Sequence, residues 1–169
     1  MSNVIAVKQL LGYEKKRVLL ALDITRFFEN VEMFKVEYFY RSKNCSPKIS
    51  KVLCRLSCVK RGPKYDPEDI YSIARGFSTS TRLAVWSYIT AFYRIHDLVM
   101  KKLKKYDLRI AIFIDDIGIS ASGAPQDLME SLEEDINNIL KFESRGGLSR
   151  RKPHLGVERR TKKKKGENV

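Results

Sequence analysis

Two adjacent aspartates, Asp115 and Asp116, sit inside the apolar run AIFIDDIGISASG, and Asp23 lies near the end of a second apolar run, RVLLALDI. A carboxylate buried in such a run is costly unless a cation or hydrogen bonds compensate it. Two carboxylates in one tight turn do not both stay ionised cheaply without a cation. Their hard oxygens suit Mg²⁺ or Mn²⁺. If the strands that carry them are neighbours, Asp23 and Asp115 converge on one sheet edge. Converging carboxylates on rigid strands are what a two-metal phosphoryl-transfer site needs, with the ions about 3.5–4 Å apart on the attacking and leaving oxygens. The competing reading is an ordinary turn, where Asp is common. The flanking IFI and IGIS argue against it, because turn chemistry favours Gly or Asn.

The elements that must position these acids follow from periodicity. RVLLALDI (17–24) reads as a buried strand. ENVEMFKVEYFYRSK, with Val31, Phe34, Val36 and Tyr38, reads as helical. In PKISKVLCRLSCVK the apolar residues Ile49, Val52, Leu53 and Leu56 recur at helical spacing, behind Pro47 at the first helical position. RGPKYDPED is a loop. STSTRLAVWSYITAFYRIHDLVMKKLKKY is predicted to be one long helix, capped by Ser78 or Thr79. Leu83, Trp86, Ile89, Tyr93, His96 and Met100 mark one face of it, and Lys101 to Lys105 place cations at its end. LRIAIFI and DIGISAS pair as strands with Asp115 and Asp116 at their junction. GAPQDLMESLEEDINNILKF makes an amphipathic helix with Pro125 in its first turn, and a short strand is expected near His154 to Arg159. The order predicts an α+β domain: a small antiparallel sheet with helices packed on one face.

The 169 residues fit one domain with a real core. With 43% hydrophobic and 31% charged residues, the chain has the composition of a globular protein rather than a disordered one. The formal charge is +13. A surplus that large points to a polyanionic partner, nucleic acid or an anionic membrane, or else to solubility alone. Ten Lys or Arg and one acid, Glu158, fall between Arg145 and Lys165, so this segment supplies most of the surplus. No eighteen-residue apolar stretch suggests a membrane span, and the N-terminus lacks the order of a secretory signal. Cys45, Cys54 and Cys58 lack CxxC spacing and suit a reducing cytosol. They read as packing residues more readily than as a zinc site with His96 or His154. A cytoplasmic location is the expectation.

FIDDIGIS (113–120) resembles the aromatic-x-Asp-Asp turn of reverse transcriptases. LALDITRFFENV (20–31) is similar to their motif A, and ARGFSTSTRLAVWSYITAFYRIHDL (74–98) to their motif B. The three occur in the family's order and resemble most the bacterial retron and group II intron type, over roughly Val18 to Lys152. The resemblance implies a polymerase palm at 1–144, with a short fingers remnant at 1–17, and a basic motif-D-like segment and tail at 145–169. It implies RNA-directed DNA polymerase activity: two-metal transfer of deoxynucleotides to a primer 3′-hydroxyl on an RNA template, with two Mg²⁺ (or Mn²⁺) ions. In the family, phage defence and retroelement mobility are both known. Carried over by position, Asp23 and Asp115 would hold metal, with the Ile24 carbonyl as a further oxygen and Asp116 as the second acid of the turn. Phe28 falls where an aromatic ring excludes a ribose 2′-hydroxyl, with core packing as its alternative role. Gly76 would let backbone approach template and nucleotide. Thr79 and Ser80 match the polar pair at the helix start. Lys152 matches the lysine that protonates leaving pyrophosphate, or is an ordinary phosphate contact.

Departures from the family pattern are also readable. Phe113 replaces Tyr, Ile114 is bulkier than the usual residue, Arg75 stands where the family has Gln, and Ser78 and Thr81 stand where it has Pro. Arg75 would contact the triphosphate, since its fork matches phosphate oxygens. Only 22 residues precede Asp23, and lysines follow where a thumb is expected. The expectation is a palm with little else: a partner chain supplies fingers and thumb, the sequence is a fragment, or the palm serves as a nucleic-acid-binding or assembly subunit. A nucleotidyl cyclase also sets acids on strands beside a small sheet, but the motif B match argues against one.

Overall fold

The computed structural model describes residues 17–61, 70–144 and 157–159. Lys152, the N-terminal segment 1–16 and most of the basic tail lie outside these. The chain runs β1 (Arg17–Ile24), α1 (Phe27–Asn30), α2 (Met33–Ser42), α3 (Pro47–Ser57), β2 (Cys58–Arg61), β3 (Ile70–Ile73), α4 (Ser80–Ser87), α5 (Ile89–Lys102), β4 (Asp107–Phe113), β5 (Asp116–Ser122), α6 (Gln126–Ser144) and β6 (Val157–Arg159). The class is α+β. One sheet has the order β4-β5-β1-β6 with every pair antiparallel, and β2 and β3 form a second, two-stranded sheet.

Period-2 alternation divides the larger sheet into two faces. Leu20, Leu22 and Ile24 of β1 and Ile117, Ile119 and Ala121 of β5 are buried. They share one core with Ile95 and Val99 of α5 and Met129, Leu132, Ile136 and Leu140 of α6. Leu19, on the other face of β1, is half exposed. Ion pairs tie this assembly at its margins. Lys102 pairs with Asp135 and donates to Ser131, joining α5 to α6, and Arg94 pairs with Glu143 at 2.6 Å.

The strand β1, the β4–β5 hairpin and the helix after it fall where the sequence places them, but the helix expected over PKISKVLCRLSCVK ends at Ser57, and Cys58–Arg61 instead pairs with Ile70–Ile73 as a two-stranded sheet that the sequence pattern did not predict. The long helix does not run through. It breaks at Tyr88, whose φ of −111° and ψ of 12° lie outside the helix. Two local bonds explain the break. The Ser87 hydroxyl donates back to the Leu83 carbonyl at 2.7 Å, which bends a helix. The buried Tyr88 hydroxyl donates to the Asn30 carbonyl at 3.1 Å, anchoring the break to α1. Burial raises the Tyr88 phenol well above its ordinary pKa, which keeps that donor proton in place.

The face of the long helix also differs from expectation. Of Leu83, Trp86, Ile89, Tyr93, His96 and Met100, Leu83 alone is buried; Tyr93 is 65% exposed. The core side is a second stripe, Ala84, Tyr88, Ala91, Phe92, Ile95 and Val99. This stripe, with the bulky Tyr88 and Phe92 beside Ala84 and Ala91, belongs to the shared core, whereas the other, Leu83 apart, stays at the surface. The same happens in α3. Ser46 caps it and Pro47 opens it as expected, yet Ile49, Val52 and Leu56 face solvent while Ser50 and Cys54 face inward. Cys54 and Cys58 are buried packing residues, and among the described residues no three His, Cys, Asp or Glu gather as a metal cluster.

Two outcomes test this packing. Ile95→Ala is expected to lower unfolding free energy by about 2–5 kcal/mol in urea denaturation, whereas Tyr93→Ala changes it by less than about 0.5 kcal/mol. Burial pushes the Cys54 thiol up to about 12 and the Cys58 thiol up to about 11. Both stay protonated and unreactive in the native state at pH 8–9, because only the thiolate is nucleophilic. Iodoacetamide at pH 8.5 therefore labels the less buried Cys45 first, with Cys54 and Cys58 following on unfolding, as peptide mass mapping reads.

Candidate active site

The acids meet at one end of the sheet face opposite the core. The antiparallel register sets Asp23 directly across from Asp116, Asp116 across from Phe113, and Asp23 across from Glu158 on β6. Residues directly opposite share a face, so Phe113, Asp116 and Asp23 occupy one row across three strands, and Glu158 takes the next register position on β6. The next row is Ala111, Gly118 and Ala21, and a further one ends in Arg17, which donates to Ser120 at 2.7 Å and pairs with Asp107. The face is thus acidic at the turn end, small-surfaced in the middle and closed by the Arg17–Asp107 ion pair at the far end. Asp107 is held below the usual carboxylate range by its hydrogen bond to Arg17.

Asp115 is placed by its backbone. Ile114 and Asp115 form the two-residue loop between Phe113 and Asp116. Ile114 has φ of 61°, and Asp115 is not among the positive-φ residues. A two-residue hairpin positive at its first central position alone is the pattern of a type II′ turn, which prefers Gly there. A β-branched residue in this region is strained. The Asp115 carbonyl accepts from the Ile24 backbone N–H at 2.9 Å. That bond fastens the turn to the end of β1, so Asp23 and Asp116 sit on strands and Asp115, in the turn, is tied to a strand by its carbonyl.

Two carboxylates directly opposite in an antiparallel pair repel. Asp23 and Asp116 are such a pair, with Asp115 adjoining, and their hard oxygens fit a divalent ion in kind. Asp23, Asp115 and Asp116 are the residues that would hold it. Ile24 is buried, and its N–H is committed to Asp115.

Behind Asp23 the chain reverses through Thr25 and Arg26, where Arg26 takes φ of 51°. The Asn30 side chain donates to both the Thr25 and Arg26 carbonyls, at 3.1 and 2.9 Å, and pins that reversal. Phe27 then enters the core against Tyr88 and Phe92. Phe28 packs edge-on to Phe27 with ring centres 5.7 Å apart and stays half-buried at the core margin. The two aromatics have divided the roles: Phe27 packs the core and Phe28 presents a ring outward.

The loop that carries Arg75 and Gly76 lies over that ring. Arg75 has its guanidinium carbon 5.7 Å from the Phe28 ring centre and pairs with Glu29. Gly76 has φ of 96°, a conformation that needs glycine, and a Cβ there would meet nothing within 4 Å. Ser80 is buried and its hydroxyl donates to the Ala74 carbonyl at 2.6 Å, so it closes the loop that carries Arg75 and Gly76. Thr79 is exposed at the N-cap position without a side-chain capping bond. The structure therefore sets Asp23 opposite Asp116 in register with Asp115 next along the turn, without gathering the three into a metal cluster among the described residues, and it sets Phe28 and Arg75 side by side, with Ser80 as a loop brace. Lys152 lies outside the described residues.

Sequence reasoning missed Glu29, Asn30 and Glu158. Glu158 carried a signal, as the lone acid of a basic segment. Glu29 and Asn30 carried none beyond being polar after two aromatics.

Ile114→Gly tests the strained turn. It is expected to raise unfolding free energy by about 1 kcal/mol, strain relief exceeding the entropy cost of glycine, as measured by urea denaturation. No protein-family model matches the chain, and comparison with curated proteins finds no match.

Proposed function

We propose that this chain is a reverse-transcriptase-like palm that transfers a deoxynucleotide to a primer 3′-hydroxyl. The observation that carries the reading is the opposition of Asp23 and Asp116 across β1 and β5, with the Asp115 turn bonded to Ile24. A bound divalent cation would supply charge neutralisation at the reacting phosphate and lower the pKa of the attacking hydroxyl. This chain's own residues supply the rest. Asp23, Asp115 and Asp116 form a fixed acidic end on rigid strands. The row of Ala111, Gly118 and Ala21 leaves a low surface beside them on which a primer terminus would lie. Phe28 would stand against the sugar and exclude a ribose 2′-hydroxyl, and Arg75 would meet the triphosphate. The charge of +13 fits a nucleic-acid partner, and among the described residues no helix is long and apolar enough to cross a membrane.

A second reading, an assembly or nucleic-acid-binding module on the same frame, is favoured by the apolar residues that α3, α4 and α5 expose, among them Ile49, Leu56, Trp86 and Tyr93. A partner chain covering them would complete the fingers or thumb.

Primer extension with Mg²⁺, deoxynucleotides, and RNA and DNA templates side by side distinguishes the two. Extension that falls by about two orders of magnitude or more in Asp115→Ala is expected of the palm enzyme. Salt-dependent gel shifts without extension, alone or with partner chains, would establish the binding module instead.

A further inference from the structure

Arg75 is already engaged. Its Nη2 atom lies 2.6 Å and 2.7 Å from the two carboxylate oxygens of Glu29. Its guanidinium also lies over the ring of Phe28, on the residue that a bound deoxyribose would need to face. Glu29 is itself fixed, because its backbone carbonyl accepts from Arg61 Nη1 on β2 at 2.9 Å. Glu29 is thus the node where α1, β2 and the loop before α4 meet. On the other side, the Ser80–Ala74 bond braces the loop, while Gly76, next to Arg75, supplies a backbone link of low torsional restriction.

The pair sits at the solvent boundary, the Arg75 side chain 64% exposed and that of Glu29 32%. An exposed ion pair of this kind is weak. A polyphosphate carries several charges and many acceptor oxygens, and the arginine fork binds such oxygens with paired, charge-assisted hydrogen bonds. It therefore outcompetes a single carboxylate for the same guanidinium.

We infer that Glu29 is a latch on Arg75. While no nucleotide is bound, it parks the guanidinium over Phe28. An incoming polyphosphate displaces it, frees the Phe28 face for the sugar, and Glu29 reclaims Arg75 when the pyrophosphate product leaves. The inference rests on the nucleotidyl-transfer reading for its physiological ligand, and its chemistry is that of anion competition. Glu29 weakens anion binding at Arg75 by competing for its guanidinium, so removing its charge strengthens that binding.

The test is calorimetric titration of the full chain with inorganic tripolyphosphate in metal-free buffer. Glu29→Gln keeps size and the Arg61 bond to the backbone, and is expected to bind about 2- to 5-fold tighter than wild type, the exposed ion-pair range expressed as affinity. Arg75→Ala is expected to bind more weakly than wild type, and Glu29→Gln in the Arg75→Ala background to bring no gain, since the two residues act as one unit. Arg75→Lys, which loses the fork, serves in the cycle if thermal unfolding shows the alanine variant misfolded. Glu29→Gln binding no tighter than wild type, or tightening both backgrounds alike, would overturn the latch. Because no primer, template or synthesis enters the measurement, failure of primer extension counts against the polymerase reading and leaves the latch standing on its own result.

Discussion

The hydrogen bond from the Ile24 N–H to the Asp115 carbonyl, 2.9 Å long, is the constraint on which the acidic end of the sheet depends. It continues the β1–β5 ladder past its last paired residues and locks the hairpin turn against the neighbouring strand. The register behind it is set by burial. Leu20, Leu22 and Ile24 must face the core, as must Ile117, Ile119 and Ala121. A slip by one residue would drive Asp23 into that core and expose Leu22, so the hydrophobic pattern itself enforces the opposition of Asp23 and Asp116. The strained Ile114 persists because the strands on both sides over-determine its conformation. A glycine would make the turn easy. An isoleucine makes it stiff, and stiffness is what fixed charges at a reaction centre require.

A second fixed point sits one turn of chain beyond Asp23. Asn30 holds the reversal at Thr25 and Arg26 with its side chain and accepts from Tyr88 with its carbonyl. Tyr88 in turn is the break between α4 and α5, with Lys35 4.4 Å from its ring centre. Burial lowers the pKa of Lys35, against the pull of Glu143 and Glu32. The break thus serves two elements at once. It lets α5 turn Ala91, Phe92, Ile95 and Val99 into the core while Tyr88 itself is anchored to α1 at Asn30.

What could be read in the sequence follows the distance over which each interaction acts. The bounds of β1 and the β4–β5 hairpin were legible because period-2 patterning and the interrupting aspartates are local. The helices were legible as helices, but their buried sides were not. α4 and α5 together carry two apolar stripes, Trp86–Tyr93 and Ala84–Ala91–Ile95, and periodicity alone does not choose between them. Which one turns inward is decided by packing against distant parts of the chain, a tertiary quantity. α3 shows the same conflict between Ile49, Val52 and Leu56 outside and Ser50 and Cys54 inside. The break at Tyr88 left only a serine and a tyrosine as signs. The Glu29–Arg75 pair spans 46 positions, and no spacing rule relates two surface residues so far apart. The aspartates were legible because a charged residue in an apolar run is a local contradiction, and Asn30 was not because a polar residue after a strand contradicts nothing.

Charge sets the last condition on how such a face could work. The chain as a whole is strongly basic at +13, a long-range field that draws a polyanion toward it. The open sheet face reverses that sign at its turn end, where Asp23, Asp115 and Asp116 lie together and Glu158 stands in register beside them. A polyanion drawn in by the global field meets local repulsion at the very place where, on the proposed reading, its 3′ terminus must sit. On that reading a divalent cation held by Asp23, Asp115 and Asp116 would offset the repulsion. Without it the same surface would hold nucleic acid away from the acids, along the basic parts of the molecule. On the proposed reading, binding of the polymer and of an ion at the acidic end would be coupled, each strengthening the other by the same free energy.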